Sequence, residues 1–354
     1  MNSAHPPTSV TPFTNTGTAL VLGASGGIGG EVARQLLAAG WRVRGLKREP
    51  PSAAQARSGI AWQRGDALDG AAVRQAAQGC QLIVHAVNPP GYLRWAELVL
   101  PMLEHSIAAA REQGACLLLP GTVYNYAPDA PMPLREGTPQ QPPSRKGAIR
   151  VEMERRLQAA ASEAAERPCQ VLIVRAGDFF GPQPGNNWFS QGLIQPGRPP
   201  SRVLLPATPG VGHQWAFLPD VARTMVALVQ RRAELPAFAS FHMAGHWDAD
   251  GRQMGEAIQR VMAQHGLPQP RLRAFPWWLM RLLAPFKATL REMQEMRYLW
   301  RQPLRMDNAR LRAVLGEEPH TPLDDAVAQS LRGLGCLALA ASVASQSAAA
   351  GPRA

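Results

Sequence analysis

Residues 18–22, Thr-Ala-Leu-Val-Leu, run directly into Gly23-Ala24-Ser25-Gly26-Gly27-Ile28-Gly29-Gly30. The apolar run reads as a short buried strand. Ile28, Val32 and Leu36 then recur at helical spacing until Gly40 closes the pattern, so the unit reads strand, glycine turn, helix. That context gives the glycines chemical meaning. Gly23 suits the tight turn, Gly26 lets the backbone approach a pyrophosphate, and Gly29 lets the helix pack against the strand. Free N–H groups and the helix dipole then attract the diphosphate of a dinucleotide, with Ser25, Gly27 and Ile28 in the same turn.

The surrounding chain supports a globular protein. Of its 354 residues 45% are hydrophobic and 18% charged, and 32 glycines with 33 prolines fall short of the roughly 25–30% typical of low-complexity disorder. No uncharged apolar run is long enough for a membrane span. The first 16 residues lack a basic n-region and an apolar h-region, so a cytoplasmic protein is expected, with residues 1–16 and 335–354 disordered. The net charge of +11 comes from 34 arginines and three lysines spread along the chain, which offers no nucleic-acid signature. Cys80, Cys116, Cys169 and Cys336 are too scattered for a disulfide framework or a cysteine metal site, and no metal is expected.

The glycines are spaced GxxGxxG, which resembles the short-chain dehydrogenase/reductase superfamily, in particular its extended and atypical branches, the NAD-dependent epimerase/dehydratase family. The resemblance spans about residues 17–334. It implies an α/β fold, a Rossmann-type doubly wound parallel sheet over residues 17–181. A smaller C-terminal substrate lobe would follow at 182–334, with segments near 212–244 returning to the sheet. After the second strand, Trp41–Leu46, an NAD-preferring member usually places an acid for the ribose hydroxyls. Here stand Lys47 and Arg48, which would pair with a 2′-phosphate, so NADP(H) is expected over NAD(H). By the same resemblance Asp66 and Ala67 meet the adenine, and His85, Ala86 and Val87 run beside the nicotinamide ribose.

Family members of the standard type react through a Ser-Tyr-Lys set, Tyr and Lys spaced YxxxK on the helix after strand five. None of Tyr92, Tyr124, Tyr126 or Tyr298 has lysine four residues on. Val123-Tyr124-Asn125 resembles the end of the family's strand-five turn, but Pro120 falls where the serine usually lies, leaving Thr122 as the nearest hydroxyl. Lys146 takes the family's lysine position and Pro142 the tyrosine slot. Lys146, Ile149, Met153 and Leu157 share one helix face, with Ser144 as N-cap, so the lysine points inward. There the cofactor's ribose hydroxyls and a substrate oxygen would partner it, so Lys146 is expected to bind the cofactor, and desolvation beside a nicotinamide would suit it to general acid–base work. Leu119-Pro120-Gly121 with Lys146, Arg150 and Glu154 is similar to the isoflavone-reductase-like branch. The proline-rich stretch 120–143 is expected to be a lid.

In the C-terminal half, the resemblance marks Asp178, Asn187, Trp188, His213 and Trp215 as substrate-pocket residues and Asp220 as the N-cap of a helix at 221–232. Segment 276–300 is apolar and basic together; it could line a pocket, form a homodimer or touch a membrane surface, and burial against the lobe is expected. The expected function is an oxidoreductase reducing a small carbonyl or enone with NADPH, with Lys146, Thr122 and Tyr124 as catalytic candidates. The alternatives are a nucleotide-sugar epimerase or dehydratase and a non-catalytic NADP-binding sensor. The expected partner is a small molecule.

Overall fold

The structure, a computed structural model, describes residues 17–89, 94–183, 185, 187–286 and 288–338. Its strands are β1 Thr18–Leu22, β2 Arg42–Lys47, β3 Ala61–Arg64, β4 Leu82–His85, β5 Cys116–Thr122, β6 Val171–Ala176, β7 Asp178–Phe180, β8 Arg202–Leu205, β9 His213–Phe217, β10 Phe238–His242, β11 His246–Asp248 and β12 Arg271–Ala274. The helices are α1 Gly27–Ala38, α2 Ala53–Ala56, α3 Gly70–Ala77, α4 Trp95–Gln113, α5 Arg145–Ala161, α6 Leu218–Gln230, α7 Gln253–Gln264, α8 Trp277–Leu283, α9 Ala288–Glu295, α10 Ala309–Leu315 and α11 Leu323–Gly333.

Seven strands form one parallel sheet in the order β3-β2-β1-β4-β5-β6-β10. Strands β1 and β5 are near-continuous apolar runs, Ala19–Leu22 and Cys116–Leu119, because helices cover both faces, the pattern of a parallel sheet. On one face α1 and α6 close over the sheet through Val32, Leu36, Val221 and Met225. On the other α3, α4 and α5 do so through Val73, Leu103, Met153 and Leu157. Strand order reverses between β1 and β4, which opens a crevice at their carboxyl ends. This is the expected Rossmann-type doubly wound fold.

The smaller lobe holds a three-stranded sheet, β7-β9-β11, and a two-stranded pair, β8-β12. Strand β7 pairs with β9 of this lobe although it directly follows β6, while β10 and α6 return to the large sheet.

Several expectations need correction. The second strand is shifted by one residue to Arg42–Lys47. Helix α6 begins at Leu218 with Phe217 as N-cap, and Asp220 lies inside the first turn, where its carboxylate accepts from Arg223 and Thr321. The stretch 120–143 is no free lid. Tyr126 and Leu134 are fully buried among Met296, Leu299, Leu304 and Met306. The Leu134 N–H donates to Arg305 O at 2.7 Å, and its carbonyl accepts from Asp307 N at 2.8 Å. Residues 335–338 pack rather than trail, with Cys336 and Leu337 buried in the lobe core. The calls on residues 1–16 and 339–354 lie outside the described residues. Segment 276–300 is only partly covered: Trp277 packs against the lobe, but Trp278, Leu282 and Phe286 are 72%, 63% and 83% exposed. No described helix is long and apolar enough to cross a membrane. All four cysteines are buried free thiols.

One polar network lies within this core. Arg175 of β6 donates twice to the carboxylate of Glu154 on α5, from Nε at 2.9 Å and from the adjacent guanidinium nitrogen, with both side chains buried. Gln140 donates to Glu154 Oε2 at 2.9 Å, and Arg175 also donates to His242 Nε2 at 3.0 Å. Since His242 Nδ1 lies 3.1 Å from the Leu134 carbonyl, which can only accept, that nitrogen carries the proton and Nε2 accepts from Arg175 and Tyr126. The ring is therefore neutral; burial first, then Arg175, pushes its pKa down to about 3.

Two outcomes follow. Glu154→Gln, which strands a buried guanidinium, is expected to lose about 3–5 kcal/mol in urea denaturation; a loss near zero would refute the pair's role. A ring held neutral when folded, but free to protonate near pH 6.5 when unfolded, contributes fully above about pH 6.5 and progressively less as pH falls towards 3. The urea midpoint is expected to be lower at about pH 5 than at about pH 7.5, with a smaller gap in His242→Gln; an unchanged gap contradicts the assignment.

Candidate functional site

The crevice at the β1/β4 reversal is a cavity of about 510 Å³, within the range of small-molecule sites. The glycine turn forms its floor. Gly23 has φ +87°, and a Cβ there would lie 2.4 Å from the Ala86 carbonyl oxygen. A Cβ on Gly29 would meet the Gly23 oxygen at 2.2 Å, so glycine at 29 allows α1 to pack against the turn, and Gly29 itself does not line the cavity. Gly26 is the N-cap of α1 and supplies no side chain to its first N–H groups. An anion at that helix start would meet backbone donors alone.

Gly23, Ser25, Gly26, Gly27, Ile28, Lys47, Arg48, Asp66, Ala67, Ala86, Val87 and Asn187 line this cavity. Lys47 Nζ donates to Gln55 Oε1 at 2.7 Å, and Arg48 stands 3.9 Å from Asp66, largely exposed at the rim. Asp66 turns one oxygen back to accept from the Leu68 N–H. Sequence reasoning missed Glu49, also on the wall, Phe179 of β7, and Leu218, which follows β9 and opens α6. A hydrophobic residue just past a strand end gives no signal of which cavity it will face.

His85 does not face the cavity. Its Nδ1 meets Ser106 Oγ at 2.8 Å, and that hydroxyl itself donates to Met102 O, so His85 is the donor. Burial first, then Arg150, pushes its pKa down to about 3. As the last residue of β4 it points to the α4 face, while Ala86, the next residue, points to the crevice.

Lys146 is 2% exposed, as its place on the helix face predicts, and Ser144 caps α5 by accepting from the Gly147 N–H at 3.0 Å. Its Nζ lies 3.8 Å from Glu295 Oε2, and the same carboxylate accepts from the Arg145 N–H. Glu295 closes α9, far along the chain, and nothing in the sequence linked the two. A Cβ on Gly147 would lie 2.3 Å from the Tyr124 carbonyl oxygen and 2.4 Å from Pro142, so α5 starts in close contact with the β5 turn.

Pro142 precedes the helix, which begins at Arg145. A pair spaced four apart on the helix itself is therefore Lys146 and Arg150, both buried, rather than Pro142 and Lys146. The Arg150 guanidinium sits 5.2 Å from the centre of the Trp95 ring.

Of the expected substrate residues, Asp178 and His213 come together with Tyr124. The Tyr124 hydroxyl donates to Asp178 Oδ1 at 3.4 Å, and His213 Nε2 lies 3.0 Å from Asp178 Oδ2. His213 also faces the Leu299 carbonyl at 3.2 Å and stacks on Trp300 at 3.6 Å. Trp215 is a lobe-core residue, 2% exposed, and Trp188 packs against Phe275, Trp277 and Trp300. These tryptophans serve packing. Asn187 belongs to the crevice, where its Oδ1 accepts from the Ser190 N–H. Thr122 Oγ1 accepts from the Tyr124 N–H and so caps the turn after β5.

A second cavity, about 770 Å³, opens beside Glu295 and Tyr298 and is lined by Arg281, Arg291, Arg297 and Arg301. The Tyr298 hydroxyl is buried close to Ser144, the N-cap of α5. Burial raises its pKa.

The fold has many known counterparts. The chain is similar to UDP-glucose 4-epimerase from Bifidobacterium longum, solved with NAD+ and UDP, at 15% identity and a TM-score of 0.68 over 89% of this chain and 97% of that one. It is also similar to a putative epimerase from Burkholderia cenocepacia, at 17% identity and a TM-score of 0.69 over 91% and 98%. TunA, an NAD-dependent NDP-hexosamine 5,6-dehydratase of tunicamycin biosynthesis, matches at 18% and 0.64 over 90% and 97%. No curated protein sequence matches the chain. The model of the NAD-dependent epimerase/dehydratase family matches residues 19–243, the span that holds the glycine turn, the crevice and Lys146, and the chain belongs to that family.

Proposed function

We propose that the chain is an NADP(H)-dependent oxidoreductase that reduces a small carbonyl or enone, with Lys146 as proton donor. The observation that carries this reading is the buried ammonium of Lys146 at the first turn of α5, the helix that follows β5; Lys146 does not itself line the glycine-turn crevice. The crevice residues fit a dinucleotide: glycines admit the diphosphate, Asp66 and Ala67 border the adenine end, and Lys47 with Arg48 supply positive charge for a ribose phosphate.

When bound, the nicotinamide would supply the hydride. The protein's part is to place and charge the oxygen that receives the electrons. Lys146 takes the place of the missing tyrosine at the start of the helix, and Arg150, one turn on, takes that of the lysine. Nζ gives its proton to the substrate oxygen as the carbonyl becomes an alcohol, and Glu295 holds the ammonium in position beforehand. On the β5 side Tyr124, anchored to Asp178, packs its backbone against Gly147 at the start of α5, and Thr122 caps that turn.

One feature favours a second reading, a nucleotide-sugar epimerase or dehydratase: the arginine-lined second cavity suits a phosphate-bearing substrate. The two readings differ in cofactor consumption. Reduction consumes NADPH with the substrate, whereas epimerisation or dehydration of a sugar nucleotide does not.

Calorimetry is expected to show NADPH binding at least about tenfold tighter than NADH, equivalent to about 1.4 kcal/mol, with the preference erased in Arg48→Asp. Equal affinities in the wild type overturn the cofactor assignment. In a screen of carbonyls and enones followed by NADPH fluorescence, Lys146→Met is expected to lower kcat on the order of 10²-fold with a smaller effect on NADPH affinity. Turnover at the wild-type rate removes Lys146 from the role. Conversion of a sugar nucleotide without NADPH loss favours the second reading.

A further inference from the structure

A cluster outside the crevice has no use in the reaction just described. Asp220 in the first turn of α6, His246 opening β11, and His320 before α11 come from three distant parts of the chain, yet one ligand atom of each lies within 4.8 Å of the others. The two imidazole rings stand 4.5 Å apart, centre to centre.

His246 is 8% exposed and its Nε2 has no hydrogen-bond partner. A buried polar atom left without a partner costs free energy and calls for an occupant. Among the described residues nothing hydrogen-bonds that nitrogen, while a second imidazole and a carboxylate stand beside it. The residues are also held in place before any ion arrives. Glu318 accepts from the Ala244 and Gly245 N–H groups at 2.8 and 2.7 Å, which fastens the segment before His320 to the segment before His246. Thr321, the residue after His320, donates to Asp220 from its N–H at 2.7 Å and its hydroxyl at 2.8 Å. Arg223 also donates to that carboxylate. Hydrogen-bonded carboxylates and preset backbones are what outer-sphere support of a metal ligand looks like.

We propose that Asp220, His246 and His320 bind one divalent transition-metal ion of the zinc class. Two imidazole nitrogens and one carboxylate oxygen suit zinc, cobalt or nickel better than calcium or magnesium, which take oxygen donors. His320 is exposed, so the ion reaches the site from solvent and the fourth position faces outward. The ion would tie α6 of the large sheet to β11 and to the chain entering α11. Leu218, the first residue of α6, lines the crevice. The sequence expectation of no metal weighed cysteine spacing, which gives no view of histidines brought together by folding. This proposal stands apart from the reading of the crevice.

The test uses the untagged full chain, freed of metal with a chelator. Zn2+ titration by calorimetry is expected to show one ion per chain, and Co2+ is expected to give the visible absorption of a low-symmetry site. Zn2+ should also raise Tm, because an ion that binds the folded state alone stabilises it. His320→Gln changes an exposed side chain and should leave the apo Tm in place, while lowering Zn2+ affinity at least about tenfold, that is by about 1.4 kcal/mol, and shrinking the Zn2+ shift in Tm accordingly. His246→Gln should do the same to binding. No stoichiometric Zn2+ binding by the wild type, or wild-type affinity in His320→Gln, overturns the proposal.

Discussion

The paired hydrogen bonds between Arg175 and Glu154 bring into register the parts on which the site depends. Glu154 lies on α5, the helix that starts with Lys146, and Arg175 lies on β6 at the centre of the sheet's second half. A buried ion pair contributes little net stability by itself, since desolvating two charges offsets most of their attraction. Its importance is positional. Any slide of α5 along β6 would leave a guanidinium or a carboxylate buried alone. Through Gln140 and His242 the same pair reaches the proline-rich stretch and the Leu134 carbonyl.

That network explains why the stretch after β5 behaves as part of the core. Tyr126 gives its hydroxyl to His242 and Leu134 exchanges backbone hydrogen bonds with 305–307, so the β5 turn cannot lift without stranding buried groups. The turn thus presents Tyr124 to Asp178 and packs its backbone on Gly147 at the start of α5. Lys146 meets a finished environment on both sides. The segment from α9 to Trp300 completes it with Glu295, Leu299 and Trp300.

The charge distribution around the two cavities divides the labour. The crevice carries backbone donors at a helix start with a mixed rim of Lys47, Arg48, Glu49 and Asp66, suited to a nicotinamide dinucleotide. The second cavity carries four arginines and sits against the Lys146–Glu295 pair. An anionic group drawn into it would compete with Glu295 for positive charge.

The first strand, its glycine turn and the helix after it were legible in the chain, and the resemblance they carry extended that reading to the fold. A strand, a glycine turn and an amphipathic helix are local in the chain, so periodicity and glycine spacing were enough to place Gly23, Gly26 and the start of the helix at the crevice, while Lys47, Arg48, Asp66, Ala86 and Val87 were expected there through the family resemblance. The inward face of Lys146 and its Ser144 cap were legible for the same reason. What only tertiary structure decided was every relation between distant residues: Glu295 against Lys146, Asp178 with His213 and Tyr124, His85 turned towards Ser106, the tryptophans spent on packing, and Asp220 with His246 and His320. Periodicity reports which side of a helix or strand is buried. It carries no information on which other element supplies the partner, because that is fixed by close packing of the whole chain.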